Sequence, residues 1–295
     1  EPAEDWLAKS SVNGKLAPAM LEAARKASPD GKLYLVPNTS NLDVIWYLKD
    51  RLPEPPKTWD EFFAAADRLT KAPDEYGYTI RGGAGSIFQI LAEMYAYSGV
   101  TEFFDASGKS TVNHPDNVEF LTKMAAIYKK NTPAADVTND FAKMVAQFGT
   151  GKIAMMHHNL GSYNDHVKAH GADKIGAVAL PVGPSGRRTI VANPVDGFAV
   201  FKNSEHKEAA WRFVEFLVSH EANSYWNEQV GQIPANTEAQ ADPWVSQLPH
   251  LKMAVDTLED PNTVVVSPPY YLPQFSSITK SETEPLFQKV LLGEM

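Results

Sequence analysis

The sequence predicts an α/β protein, and three observations carry that reading. Short apolar runs beside glycine or proline alternate with longer stretches whose apolar residues recur at helical spacing. A length of 295 residues suggests two domains at about 150 residues each. Hydrophobic residues make up 43% and charged residues 21%, enough apolar surface to bury a core without crosslinks.

Taken in order, Lys32 to Val36 reads as the first strand. Pro55-Pro56 then stops the chain, and Thr58 with Glu61 forms a capping box. Trp59, Phe62, Phe63, Ala66 and Leu69 follow it at helical spacing. Ser86 with Gln89 repeats the capping pattern before Ile90, Leu91, Met94 and Tyr97. His114-Pro115-Asp116 opens a third helix with Val118, Leu121, Met124, Ala125 and Tyr128 on its apolar face. Phe141, Met144, Val145 and Phe148 mark a fourth, ended by Gly149 and Gly151. Strands are expected at Ile153 to Met156, Ile175 to Leu180 and Phe198 to Phe201. A longer helix is expected from about Glu205 through Leu217, with Ala209, Phe213, Phe216 and Leu217 inward.

Composition excludes several chemistries. The net charge of −9 offers no electrostatic footprint for nucleic acid. With no cysteine there is no disulfide, thiolate metal site or cysteine nucleophile. No run approaches the roughly 18 apolar residues of a membrane span. Gly151-Lys152 is followed by Ile153, and Gly108-Lys109-Ser110 has Phe103 where a phosphate-binding loop needs glycine. Neither a G-x-S-x-G elbow nor an H-E-x-x-H pair occurs.

Four histidines cluster at His157, His158, His166 and His170. His166 and His170 stand four apart, the spacing of a zinc pair on one helix face, but no third ligand follows at helical spacing. The preferred reading is a polar loop and a solvated helix face, with no metal and no cofactor. Pro268-Pro269-Tyr270-Tyr271-Leu272-Pro273-Gln274-Phe275 sets three aromatics in a stiff loop. Aromatic faces suit the C–H faces of sugar rings, and amide or carboxylate groups suit their hydroxyls.

These residues resemble the family-1 extracellular solute-binding proteins of ABC importers. The resemblance rests on Gly31-Lys32-Leu33-Tyr34 leading to Pro37, on Tyr47-Leu48-Lys49-Asp50, and on Pro55 through Glu61. It continues through Phe148-Gly149-Thr150-Gly151-Lys152-Ile153-Ala154-Met155, Leu180-Pro181 with Gly183-Pro184, Ala209 through Phe213, and Gly231-Gln232-Ile233-Pro234. It implies two α/β lobes of the type II periplasmic-binding-protein kind, with ligand held in the cleft between them. The first lobe would hold 1–40 and 197–240, and the second 44–194 and 243–295, with crossings near 39–44, 195–198 and 240–243.

The same resemblance implies a receptor, not an enzyme, that captures a carbohydrate and delivers it to a membrane permease. It would be a monomer, periplasmic or lipid-anchored at the bacterial surface. The alternatives are an anionic solute held by Arg81, Arg187 or Arg188 and, more remotely, a carbohydrate-active hydrolase. Five segments are expected to line the cleft: Asn41; the turn from Gly83 to Ser86 with Gln89; His158-Asn159 reaching Tyr163; Asn193 to Asp196; and Tyr270, Tyr271, Gln274 and Phe275. Family members begin with a signal peptide and further strand–helix units before the position of Glu1, and continue past Met295. Segments at both ends are therefore expected to be missing, leaving Phe201, Phe213, Phe216 and Leu217 exposed.

Overall fold

The computed structural model describes residues 1–191 and 195–295, so Asn193 lies outside the described residues. Helices α1 (Glu4–Leu7) and α2 (Pro18–Lys26) lead into strands β1 (Val36–Ser40) and β2 (Asp43–Leu48). Next come α3 (Trp59–Leu69), β3 (Tyr76–Thr79), α4 (Ser86–Ser98), α5 (Pro115–Ile127) and α6 (Phe141–Gly149). They are followed by β4 (Ile153–Asn159), α7 (Tyr163–His170), β5 (Ile175–Ala179), β6 (Arg188–Val191) and β7 (Asp196–Phe198). The chain continues through α8 (Lys207–Leu217), α9 (His220–Val230), β8 (Ile233–Pro234), α10 (Thr237–Gln240), α11 (Pro243–Gln247) and α12 (Pro249–Glu259). It closes with β9 (Thr263–Val266), α13 (Phe275–Ser277) and α14 (Glu284–Leu292).

These strands make three sheets, ordered β7-β1-β8, β3-β4-β2-β5 and β6-β9. The chain passes from the first sheet to the second through Asn41 and Leu42. In the four-stranded sheet β2 runs antiparallel to both neighbours, while β3 runs parallel to β4. Alternation along β2 decides which core each side chain enters. Val44, Trp46 and Leu48 join the core shared with β1, α2 and α8; Ile45 and Tyr47 join the core under α3, α4 and α5.

Local chemistry explains most boundaries. Thr58 caps α3 as expected: its hydroxyl accepts from Glu61 N while the Glu61 carboxylate accepts from the Thr58 and Lys57 amides. The first strand, expected at Lys32 to Val36, instead begins at Val36. Leu33 spends its backbone on the N-terminal helix, its amide on the Glu4 carboxylate and its carbonyl on Ala3 N. Pro37 survives inside a central strand because the ladder bulges between Pro37 and Thr39.

Four other expectations need correction. Ser86 does not cap α4; Gly85 does, in the left-handed region at φ 81°. The apolar face of α5 is rotated, burying Asn117, Phe120, Met124 and Ile127 while Val118 is exposed. The strand expected at Phe198 to Phe201 is Asp196–Phe198. The inward face of α8 is Trp211 and Val214, not Phe213, Phe216 and Leu217. Phe201, Phe213 and Phe216 are 86%, 60% and 55% exposed, and Leu217 is half-buried.

A buried amide network holds β1 to α9. Asn223 donates to both the carbonyl and the side-chain oxygen of Asn38, and Asn227 donates to the same Asn38 carbonyl. Asn223 Oδ1 accepts from Asn236 N, and the Asn236 side chain donates to Val218 O. All four asparagines are buried. Of these side-chain atoms Asn227 Oδ1 is buried without a hydrogen-bond partner among the described residues.

Candidate ligand-binding cleft

Strand direction gathers one set of chain ends. Asp43, first in β2, pairs with Asn159, last in β4, and β3 runs parallel to β4. The start of β2 and the carboxyl ends of β3 and β4 therefore share one sheet edge, where α/β proteins commonly place ligands. The loop through Tyr270 meets this edge. Tyr270 stacks on Phe88 (centroids 6.4 Å apart, planes 15°) and meets Phe275 edge-on at 5.3 Å.

Asn41 and Tyr270 also line a cleft of about 690 Å³ with mostly aliphatic walls, among them Met20, Ile190, Ile233 and Val265. Polar chemistry concentrates beside Tyr270. Burial, followed by the charges of Asp43 and Asp196, pushes the Tyr270 phenol up to about 12. Burial raises Asp43, partly offset by the His157 and Arg81 charges, and local desolvation of its carboxyl raises Asp196 although that residue as a whole is exposed. Burial lowers Arg81, whose Nε donates to Ala84 O at 2.7 Å.

Several expected site residues are committed to the fold. Gly83 is buried, its amide donating to Asn139 O at 2.7 Å, and a Cβ there would meet backbone at 2.8 Å. Its glycine serves close packing between segments. The helix N-terminus beyond it is occupied too, since Gly85 N donates to the Glu284 carboxylate at 3.0 Å. Ser86 and Gln89 are buried, and Gln89 donates to His157 O at 2.9 Å. Asn41 Oδ1 accepts from Leu160 N, and Asn159 Oδ1 from Gly161 N.

The histidine cluster is not the expected polar loop and solvated face. His157, His158 and His166 are all buried. His158 hydrogen-bonds Ser162 Oγ at 2.9 Å and packs on Phe141 at 4.1 Å between centroids. His166 sits between Trp46 (5.1 Å) and Phe148 (4.8 Å), and burial lowers it to about 3. His170 reaches Phe148 O. No group of three His, Asp or Glu side chains is arranged to hold a metal ion among the described residues.

Tyr163 is half-buried against His250. Asp196, Tyr271 and Gln274 are exposed, and Phe275 is half-buried beside Tyr270. Arg187 reaches Gly99 O, and Arg188 approaches Asp260 at 3.5 Å. Sequence reasoning did not select Asp43, Phe88 or Phe141. Asp43 carried one signal, a lone charge at the head of the apolar run Val44-Ile45-Trp46-Tyr47-Leu48.

Residues 5–253 match the family described as bacterial extracellular solute-binding protein. The chain belongs to that family. Its relatives include a Brucella abortus protein named as a binding protein, 27% identical over 222 residues, covering 71% of this solute-binding chain and 52% of the relative. A maltooligosaccharide ABC transporter solute-binding lipoprotein of Streptococcus pneumoniae is 24% identical over 225 residues, with 72% and 51% covered. This chain thus spans about half the length of these relatives.

Solved structures share the two-lobe fold. The maltose-bound MalE3 of T. maritima superposes with a TM-score of 0.83 at 23% identity, over 100% of this chain and 76% of that one. A ribitol-bound ABC transporter solute-binding protein of Agrobacterium radiobacter gives 0.82 at 21% identity, again over 100% and 76%.

Proposed function

We propose that this solute-binding protein captures a carbohydrate between two lobes and presents it to the permease of an ABC importer. The lobes divide at the passage through Asn41 and Leu42: the β7-β1-β8 sheet belongs to one and the β3-β4-β2-β5 sheet to the other. The observation that carries the reading is the aromatic group of Phe88, Tyr270 and Phe275 at the shared strand edge, within reach of the charges of Asp43 and Arg81 and, from the β7-β1-β8 sheet, of Asp196. Aromatic faces flanked by a few fixed polar groups are what a sugar requires. Relatives that bind maltooligosaccharides, maltose and ribitol support the same ligand class.

Phe141, 39% exposed over His158, adds a further aromatic surface at the head of α6. The protein acts as a monomeric receptor without a chemical step, at the bacterial surface or in the periplasm. Calorimetry against neutral mono-, di- and trisaccharides tests this, with saturable one-to-one binding expected. Failure of the whole panel, or sustained turnover of chromogenic glycosides, refutes the receptor reading.

A further inference from the structure

Behind the strand edge lies a buried chain of polar groups that the fold does not need for secondary structure. Tyr78 Oη donates to Glu93 Oε1 at 2.7 Å, and His157 Nδ1 lies 2.8 Å from the same oxygen. Glu93 is 5% exposed and His157 fully buried. Glu93, acting as acceptor, holds one proton on Nδ1, and the Glu93 and Asp43 charges, which raise this histidine against its burial, keep a second on Nε2. The opposite nitrogen, Nε2, is buried with no hydrogen-bond partner among the described residues. It points at Asp43 Oδ2, 3.9 Å away.

Apart from that 3.9 Å contact, Asp43 has no charged partner at ion-pair distance among the described residues. Its side chain is 12% exposed and makes no hydrogen bond among the described residues. Arg81, whose charge acts on Asp43, reaches no carboxylate at ion-pair distance among them, and its guanidinium folds over Gly85. A buried imidazole nitrogen, a carboxylate and a guanidinium thus converge without closing on one another. Leaving such groups unmatched is costly unless something else completes them. A hydroxyl both donates and accepts, so it can bridge Asp43 to Arg81.

The charges of Asp43 and Asp196 both act on Tyr270, so both oppose a carboxylate on a ligand held there.

We propose that Asp43 is the specificity-determining residue of the cleft, positioned by His157 and Glu93, and that it selects sugars offering hydroxyl donors and rejects acidic ones. This rests on the carbohydrate-receptor reading. The Tyr78–Glu93–His157 chain fixes the imidazole so that its Nε2–H orients the Asp43 carboxylate, which alone of the two reaches a ligand oxygen. His157 is a positioning residue.

The test titrates the purified protein with glucose, galactose, mannose and maltose, and with glucuronate and galacturonate. Wild type should bind at least one neutral sugar and reject its uronate counterpart. Asp43→Asn, nearly isosteric, should weaken that neutral sugar at least ten-fold and narrow the discrimination against the uronate, with the melting temperature held within a few degrees. His157→Asn should weaken binding similarly. His157→Gln, whose amide reaches the Nε2 position, should restore most of the affinity, which a merely structural role would not predict.

Neutral-sugar binding unchanged in Asp43→Asn, or a uronate preferred by wild type, overturns the role of Asp43 and leaves the receptor reading standing. Failure of wild type to bind any sugar overturns the receptor reading and this inference together.

Discussion

Tyr163 lies flat on His250, ring centroids 4.0 Å apart and planes 24° from parallel. The contact joins the head of α7 to α12, elements far apart in the chain, and Trp46 closes over both rings at 6.1 and 5.6 Å. His250 Nε2–H donates to Gly231 O at 3.1 Å, and burial lowers the group to about 4. Tyr163, which the family resemblance placed among the cleft-lining residues, is therefore already stacked on the protein itself.

Tyr163→Ala should cost about 2 kcal/mol of stability, below the usual range for a fully buried aromatic because the ring is half-buried. Sugar affinity should stay within two- to three-fold of wild type. Urea unfolding and calorimetry on the same variant separate the two effects.

Acidification should destabilise the protein through His166. Its folded pKa of about 3 lies below the ordinary histidine value of 6.5. The stability tied to its neutral form is complete above pH 6.5 and is lost as pH falls toward 3, at about 1.4 kcal/mol per pH unit. His250 acts in the same sense down to about 4. Asp136, raised to about 7 by burial, acts in the opposite sense, its contribution declining as pH rises from 3.8 toward 7. His166→Phe removes one histidine contribution. Between pH 7.5 and 5.0 its stability should fall by about 2 kcal/mol less than wild type's, measured by urea unfolding at both values.

Asn223→Ala should cost about 2–4 kcal/mol. It removes two donors to Asn38 and the acceptor for Asn236 N, leaving buried partners unmatched. Asn223→Asp keeps the acceptor but places a carboxylate against Asn38 O, and should be no better. Thermal unfolding of the two variants checks this, and a loss below about 1 kcal/mol would show the network to be dispensable.

The sequence by itself determined the α/β class, the helices α3, α4, α5, α6 and α8, the Thr58–Glu61 cap and the family, because each is written in neighbours a few residues apart. Caps and helical periodicity are local physics, and family segments persist as ordered short strings. β2, β3, β6 and β9 escaped notice because a four- to six-residue apolar run has too few alternations to distinguish strand from buried loop.

Only the tertiary structure decided how the polar residues are spent. Gln89 and Ser86 had the spacing of a cap, yet packing turned them inward and gave the helix N-terminus to Glu284, 199 residues away from Gly85. His157 and Glu93 stand 64 residues apart and meet only because the fold brings their side chains together. Whether a polar side chain meets ligand, water or another buried group depends on what the fold places opposite it. That opposition is long-range, and no local pattern encodes it.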